Sequence, residues 1–256
     1  MERRDKMKKK FKEKLGKLYR FLYNKSGFLY IPPSGVCLVT GCTRSGTTAM
    51  VNWLSSSCQI AGFSEPRIFK VINDFLNNSY KHKTLYINRD TLNPLVKRLF
   101  YSYINNIKPV WGRTIVIKEP NICEYSEELR NIFPNLKTIF MVRHPVNVFN
   151  SMAKRKWGTS MRNRELIDMP VDLGIINWKR CANAYIKNKN ENIYLCMYEN
   201  LIKDPYHESV KIKEFLKIRQ LDTFTVKDAK KVDLEDNIVQ KILCETEKER
   251  EFFNYI

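Results

Sequence analysis

The sequence predicts a three-layer α/β domain, a mainly parallel sheet with helices on both faces, and three observations carry that reading. Short apolar runs of β character at 36–39, 114–117, 137–142 and 192–197 alternate with helical stretches at 91–107, 124–132, 145–156, 174–189 and 208–217. That order is the pattern of parallel strands joined by covering helices. The first run leads into a glycine-bearing loop and then a helix starting at Thr47, the opening of a P-loop-like unit. Finally, 256 residues that are 43% hydrophobic suit one large α/β core and exclude a disordered or fibrous chain.

Taken in order, residues 1–30 form a basic N-terminal arm. Phe11, Leu15, Leu18 and Leu22 share one helical face there, which suits either packing on the domain edge or attachment to an anionic membrane surface. The punctuation Ile31-Pro32-Pro33-Ser34-Gly35 opens a single domain over 31–256. Val36-Cys37-Leu38-Val39 reads as a buried strand ended by Gly41, and 47–57 as the helix after it. A last helix is expected over 234–254, and no internal repeat interrupts the series.

The net charge of +18 directs attention to anionic partners. Residues 1–25 hold eleven Lys or Arg against three acidic residues, which is +8, so +10 remains for the rest of the chain. A basic globular part suits nucleic acid, acidic lipid or small phosphorylated molecules. Seven Cys without a CxxC pair, and only three His (His82, His144, His207), offer no metal cluster, so no metal is expected. No run approaches the ~18 apolar residues of a spanning helix, and no signal-peptide pattern opens the chain. The expectation is a cytoplasmic chain, with the arm as its route to a membrane periphery.

Two stretches carry chemistry. In Gly41-Cys42-Thr43-Arg44-Ser45-Gly46-Thr47-Thr48, two glycines five apart lie between a strand and a helix. Such a loop turns backbone N–H groups and a helix N-terminus toward an anion. A nucleotide-triphosphatase loop has lysine where Thr47 stands, and that lysine grips the β- and γ-phosphates. In the second stretch, a strand over 139–142 ends in Arg143, Pro145 opens a helix, and Ser151 lies two turns further on. Arg143 thus falls at a strand's carboxyl end, where open α/β sheets bind ligands.

Together the two stretches resemble the sulfotransferase family that uses 3′-phosphoadenosine 5′-phosphosulfate (PAPS). In that family an R-S-G-T-T loop binds the 5′-phosphosulfate; here it reads Arg44-Ser45-Gly46-Thr47-Thr48. A following R-[DHN]-P segment grips the 3′-phosphate through its Arg and Ser, which match Arg143 and Ser151. Val116-Ile117-Lys118-Glu119-Pro120 is similar to the family's central strand, and Tyr198-Glu199-Asn200-Leu201 to a late segment that adds Tyr198 to the nucleotide site. The resemblance runs from about Val36 to Ile218 and implies a P-loop-like sulfotransferase fold.

Loop type and spacing are most similar to the tyrosylprotein and Golgi-type branch. That branch carries a catalytic glutamate and then an Arg after its loop. Glu65 and Arg67 stand 21 and 23 residues past Arg44. An Arg four residues beyond the serine also serves the nucleotide in that branch, and Arg155 matches it. The histidine base of the small-molecule branch is replaced by Pro120. The resemblance therefore implies in-line sulfuryl transfer with Glu65 as general base, Lys118 and Arg44 stabilising the leaving group, and 3′,5′-adenosine bisphosphate as product.

Competing readings remain at this stage. Glu65 precedes Pro66, so its bland reading is a carboxylate at the N-terminus of a helix, and Glu119 is the runner-up acid-base candidate. His144 reads as a loop polar group, Cys42 as a small filler, and Trp178 and Tyr185 as core. The acceptor is a hydroxyl of a saccharide, a glycolipid or lipid-linked sugar, or a tyrosine. The segment 68–110, with Tyr80, Lys81, His82, Lys83, Tyr86 and Arg89, is expected to line its side of the site. A P-loop phosphotransferase is the alternative enzyme, weakened by Thr47. A basic nucleic-acid-binding module is the other, weakened because no strand interleaves aromatic and basic residues.

Overall fold

The computed structural model describes residues 34–72, 89–107, 110, 112–122, 126–154, 171–225 and 234–255. The arm over 1–30, Arg155 and most of the proposed acceptor segment (Tyr80, Lys81, His82, Lys83, Tyr86) lie outside the described residues, as does the side chain of Arg89.

Among the described residues five strands build one sheet: β1 Gly35–Gly41, β2 Ile60–Ser64, β3 Thr114–Lys118, β4 Lys137–Val142 and β5 Ile193–Met197. Their spatial order is β2-β3-β1-β4-β5, and every neighbouring pair is parallel. The helices are α1 Thr47–Leu54, α2 Arg89–Ile107, α3 Ser126–Ile132, α4 Pro145–Lys154, α5 Val171–Asn188, α6 Tyr198–Lys203, α7 Pro205–Leu216, α8 Asp236–Glu245 and α9 Glu247–Phe252. A further helical turn covers 68–72. Among the described residues, no helix is long and apolar enough to cross a membrane, and no group of three or more His, Cys, Asp and Glu could hold a metal.

The layering follows from alternation along the strands. Val36 and Leu38 of β1 face a core shared with Phe100 of α2 and Leu129 of α3. Cys37 and Val39 face the opposite core, with Met50 and Leu54 of α1 and Ile212 of α7. On β4, Phe140 and Val142 pack against Val148 of α4 and Trp178 of α5. Both faces of the sheet are thus buried, which is why the strands read as unbroken apolar runs.

The sequence expectation lacks the short helix α6, and two further elements differ from it. β2 carries no clear strand signal, because a serine-rich turn precedes it and Gly62 sits in its middle. Gly62 is there for space, since a Cβ would collide with Ser55 Oγ at the end of α1. The expected helix over 234–254 is two helices, α8 and α9, parted at buried Thr246, whose hydroxyl donates to the Ile242 carbonyl at 2.6 Å. Such back-bonding offers the chain a local alternative to straight helix.

Candidate active site at the carboxyl edge of the sheet

All strands run parallel, so their carboxyl ends share one edge, and β1 meets β4 where the strand order reverses. Ligands of open α/β sheets bind at that kind of switch point. Register places Lys118 of β3 level with Val39 of β1 and Ser64 of β2, and Val142 of β4 level with Met197 of β5. Arg44, Glu65, Lys118, Arg143 and Tyr198 therefore leave the sheet at or just beyond the ends of five different strands.

The loop after β1 is held from within. The Ser45 hydroxyl donates to the Cys42 carbonyl at 2.6 Å, and the Ser45 N–H donates to the same oxygen at 3.1 Å. Arg44 adopts a φ of 71° and Gly46 a φ of 99°. Gly46 is the N-cap of α1, with no side-chain cap on the first amides of that helix. This leaves backbone donors and the positive end of the helix dipole at the loop mouth. Thr47 is buried, whereas Thr48 is exposed. A Cβ on Gly46 would stand 2.5 Å from the Tyr198 ring, so the tyrosine packs directly on the loop.

The second motif meets the first. Arg44 donates to the Ser151 hydroxyl from Nε at 3.1 Å and from Nη2 at 3.0 Å. Arg143 donates from Nη1 to the Arg44 carbonyl at 3.3 Å, and its guanidinium lies 4.5 Å from the centre of the Tyr198 ring. That separation suits a cation–π contact. The Arg143 Nε is buried and makes no hydrogen bond among the described residues. Trp178 is buried and its indole N–H donates to the Arg143 carbonyl at 3.0 Å.

On the other side of the β1 loop, at the ends of β2 and β3, lies an ion pair. The Lys118 ammonium donates to Glu65 Oε1, with Lys118 buried and the Glu65 side chain 49% exposed. The Glu65 N–H donates to the Lys118 carbonyl at 2.9 Å, and Glu65 and Arg67 take φ of 52° and 56°. Glu65 is not the carboxylate that caps the turn at 68–72. Glu119 is: its two oxygens accept from the Phe69 and Lys70 amides at 3.2 and 3.3 Å. Burial raises the Glu119 carboxyl to about 7, against the lowering effect of those amides and with a further raise from nearby Glu65.

Sequence reasoning missed two residues that organise this edge. Asn121, at a φ of 64°, donates its N–H to the Gly41 carbonyl at 2.9 Å and its Nδ2 to Thr43 Oγ1 at 2.8 Å. Its Oδ1 accepts from the Thr43 N–H at 3.2 Å and from Asn177 Nδ2 at 3.2 Å. The Pro120-Asn121 pair after a lysine-ended strand marks a turn in the sequence, but not these partners. Glu199 is the other. One of its oxygens accepts from the His144 N–H at 3.0 Å and from Asn147 Nδ2 at 3.2 Å. Cys42 is buried and accepts from Asn177 at 3.5 Å, His144 engages Glu199 through its backbone N–H, and Tyr185 packs on Phe140. Arg155 is not among the described residues.

A family model described as the sulfotransferase family matches residues 37–222, and the chain belongs to that family. Solved structures agree on the fold. The sulfotransferase domain of the Synechococcus PCC 7002 olefin synthase aligns with a TM-score of 0.56 at 17% identity, over 89% of this chain and 97% of that one. A sulfotransferase of Mycobacterium avium aligns with a TM-score of 0.52 at 13% identity, over 91% and 80%. One of Alicyclobacillus acidocaldarius gives 0.52 at 12%, over 88% and 97%. No protein of curated function matches the chain in sequence.

Proposed function

We propose that the chain transfers a sulfuryl group from PAPS to an acceptor hydroxyl, releasing 3′,5′-adenosine bisphosphate. The observation that carries this reading is the join between the two motifs. Arg44 and Ser151 touch, Arg143 stands beside them with a buried unpaired Nε, and the Glu65–Lys118 pair opens onto the same edge. A ligand with phosphate groups at both ends fits such a set. The uncapped start of α1 suits the 5′ end, and Arg143 with Ser151 suits the 3′ end.

The step balances with the groups present. The acceptor oxygen forms a bond to sulfur as the bond from sulfur to the bridging 5′-phosphate oxygen breaks. The acceptor proton passes to the Glu65 carboxylate, acting as general base. The charge left on the nucleotide's 5′-phosphate is met by Lys118, Arg44 and the loop amides. Lys118 pairs with Glu65, so in this reading one cation serves both the proton acceptor and the leaving group. Glu119 is engaged as a helix cap, which favours Glu65 as the base.

Within the family we place the chain nearest the tyrosylprotein and Golgi-type branch, because Glu65 and Arg67 leave β2 together. A saccharide, a lipid-linked sugar and a tyrosine all remain acceptor classes. The phosphotransferase reading is disfavoured by a buried threonine, Thr47, in the place of a phosphate-gripping lysine. The test is transfer of radiolabelled sulfur from PAPS to a panel of sugar, glycolipid and tyrosyl-peptide acceptors. Label on one acceptor class supports the reading. Phosphoryl transfer from ATP, with none from PAPS, overturns it.

A further inference from the structure

Tyr255 lies far from the phosphate loop in sequence, yet it meets the residue that braces Arg143. It is 8% exposed, and its hydroxyl donates to Glu199 Oε2 at 2.7 Å. The other oxygen of that carboxylate holds the His144 N–H and the Asn147 amide. His144 directly follows Arg143, and Glu199 directly follows Tyr198, whose ring underlies the Arg143 guanidinium. One carboxylate, carried by the residue after Tyr198, therefore holds the backbone of the residue after Arg143, and Tyr255 holds the carboxylate.

Tyr255 is itself locked in place. Its carbonyl accepts from Arg250 Nη1 at 2.8 Å, its N–H donates to the Arg250 carbonyl at 2.9 Å, and its ring meets His144 edge-on with centroids 5.3 Å apart. A buried tyrosine hydroxyl needs one partner. This one uses an acid that already has two donors, where loss of the third loosens the set instead of breaking it.

We propose that Tyr255 is a positioning residue for the nucleotide's 3′-phosphate, acting through Glu199 to hold Arg143 in its gripping geometry. This rests on the donor reading above. It separates the two ends of the nucleotide, because the residues it touches belong to the Arg143 side and not to the loop at 41–48.

The full chain and its Tyr255→Phe variant are titrated with 3′,5′-adenosine bisphosphate and with adenosine 5′-monophosphate, which lacks the 3′ group. The variant removes one oxygen and keeps the ring. It should weaken the bisphosphate about three- to tenfold, the worth of one hydrogen bond, and leave the monophosphate unchanged. In an Arg143→Ala background the same substitution should change nothing. Should Tyr255→Phe fold poorly, Glu199→Gln carries the same expectation. Equal loss for both ligands, no loss for either, or an undiminished effect in the Arg143→Ala background overturns the inference while leaving the donor site intact. Failure of the wild-type chain to bind the bisphosphate overturns the donor reading, and the inference with it.

Discussion

Arg44 and Ser151 are 107 residues apart in sequence, and the Arg44 guanidinium reaches the Ser151 hydroxyl through two nitrogens, at 3.1 and 3.0 Å. The contact ties the loop after β1 to the second turn of α4 across the point where the strand order reverses. In the proposed nucleotide site this contact fixes the distance between the two motifs.

Ser151→Ala removes a shared acceptor from a charged donor, an interaction worth roughly 1.5–3 kcal/mol. Binding of 3′,5′-adenosine bisphosphate should fall by about tenfold or more, and the thermal midpoint of the ligand-free protein should fall by roughly several degrees, because the lost contact lies within the folded chain. Calorimetry paired with thermal unfolding checks both parts.

Glu65→Gln keeps the shape and a hydrogen-bond acceptor for Lys118 but cannot take a proton. Turnover should fall by roughly 10²–10⁴, the usual contribution of a positioned general base, while bisphosphate affinity holds within about twofold. A variant that turns over normally removes Glu65 from the chemistry. Single-turnover rates with PAPS provide the measurement.

Glu119 sets a pH dependence of stability. Its folded carboxyl titrates at about 7, raised from 4.5 by burial. The folded state therefore binds more protons than the unfolded one between those values, and its stability falls as pH rises through that window. The contribution is fully present below about pH 4.5 and lost as pH rises through about 7. Glu119→Gln should abolish this slope, so its thermal midpoint gains on wild type between pH 5 and pH 8. A fixed offset from the amide does not vary with pH. Parallel curves for the two proteins would contradict the account.

Gly46→Ala asks for a Cβ at a φ of 99°, 2.5 Å from the Tyr198 ring. Strain at such a backbone costs on the order of 1–3 kcal/mol, and here the ring must also leave the face of Arg143. Donor binding should be lost before the fold is, seen as no calorimetric signal from a protein that still unfolds cooperatively.

Much of this arrangement could be read from residue order, and the rest could not, for physical reasons. Parallel strands buried on both faces leave apolar runs, and a strand-loop-helix that faces an anion leaves glycines and an arginine. β1, β3, β4, β5, the place of Lys118 at a strand end and the loop-and-helix setting of both motifs were therefore legible. β2 was not, because Gly62 and the serines before it serve close packing against α1 instead of strand propensity. The competition between Glu65 and Glu119 for the turn at 68–72 was also hidden, since the cap comes from a residue 50 positions away. Asn121 and the Tyr255–Glu199 contact are likewise side-chain bonds between distant segments, which no periodicity records. The break at Thr246 is a matter of one hydroxyl.

The central claim is that the carboxyl edge binds an adenosine phosphorylated at both ends. Titration of the purified chain with 3′,5′-adenosine bisphosphate, with and without Mg²⁺, and of its Arg143→Ala variant, tests it most directly. The account predicts saturable binding that does not depend on Mg²⁺ and weakens at least about tenfold in the variant, the scale of a lost charge-assisted contact. Tight binding of ATP with Mg²⁺ and no response to the bisphosphate would contradict it.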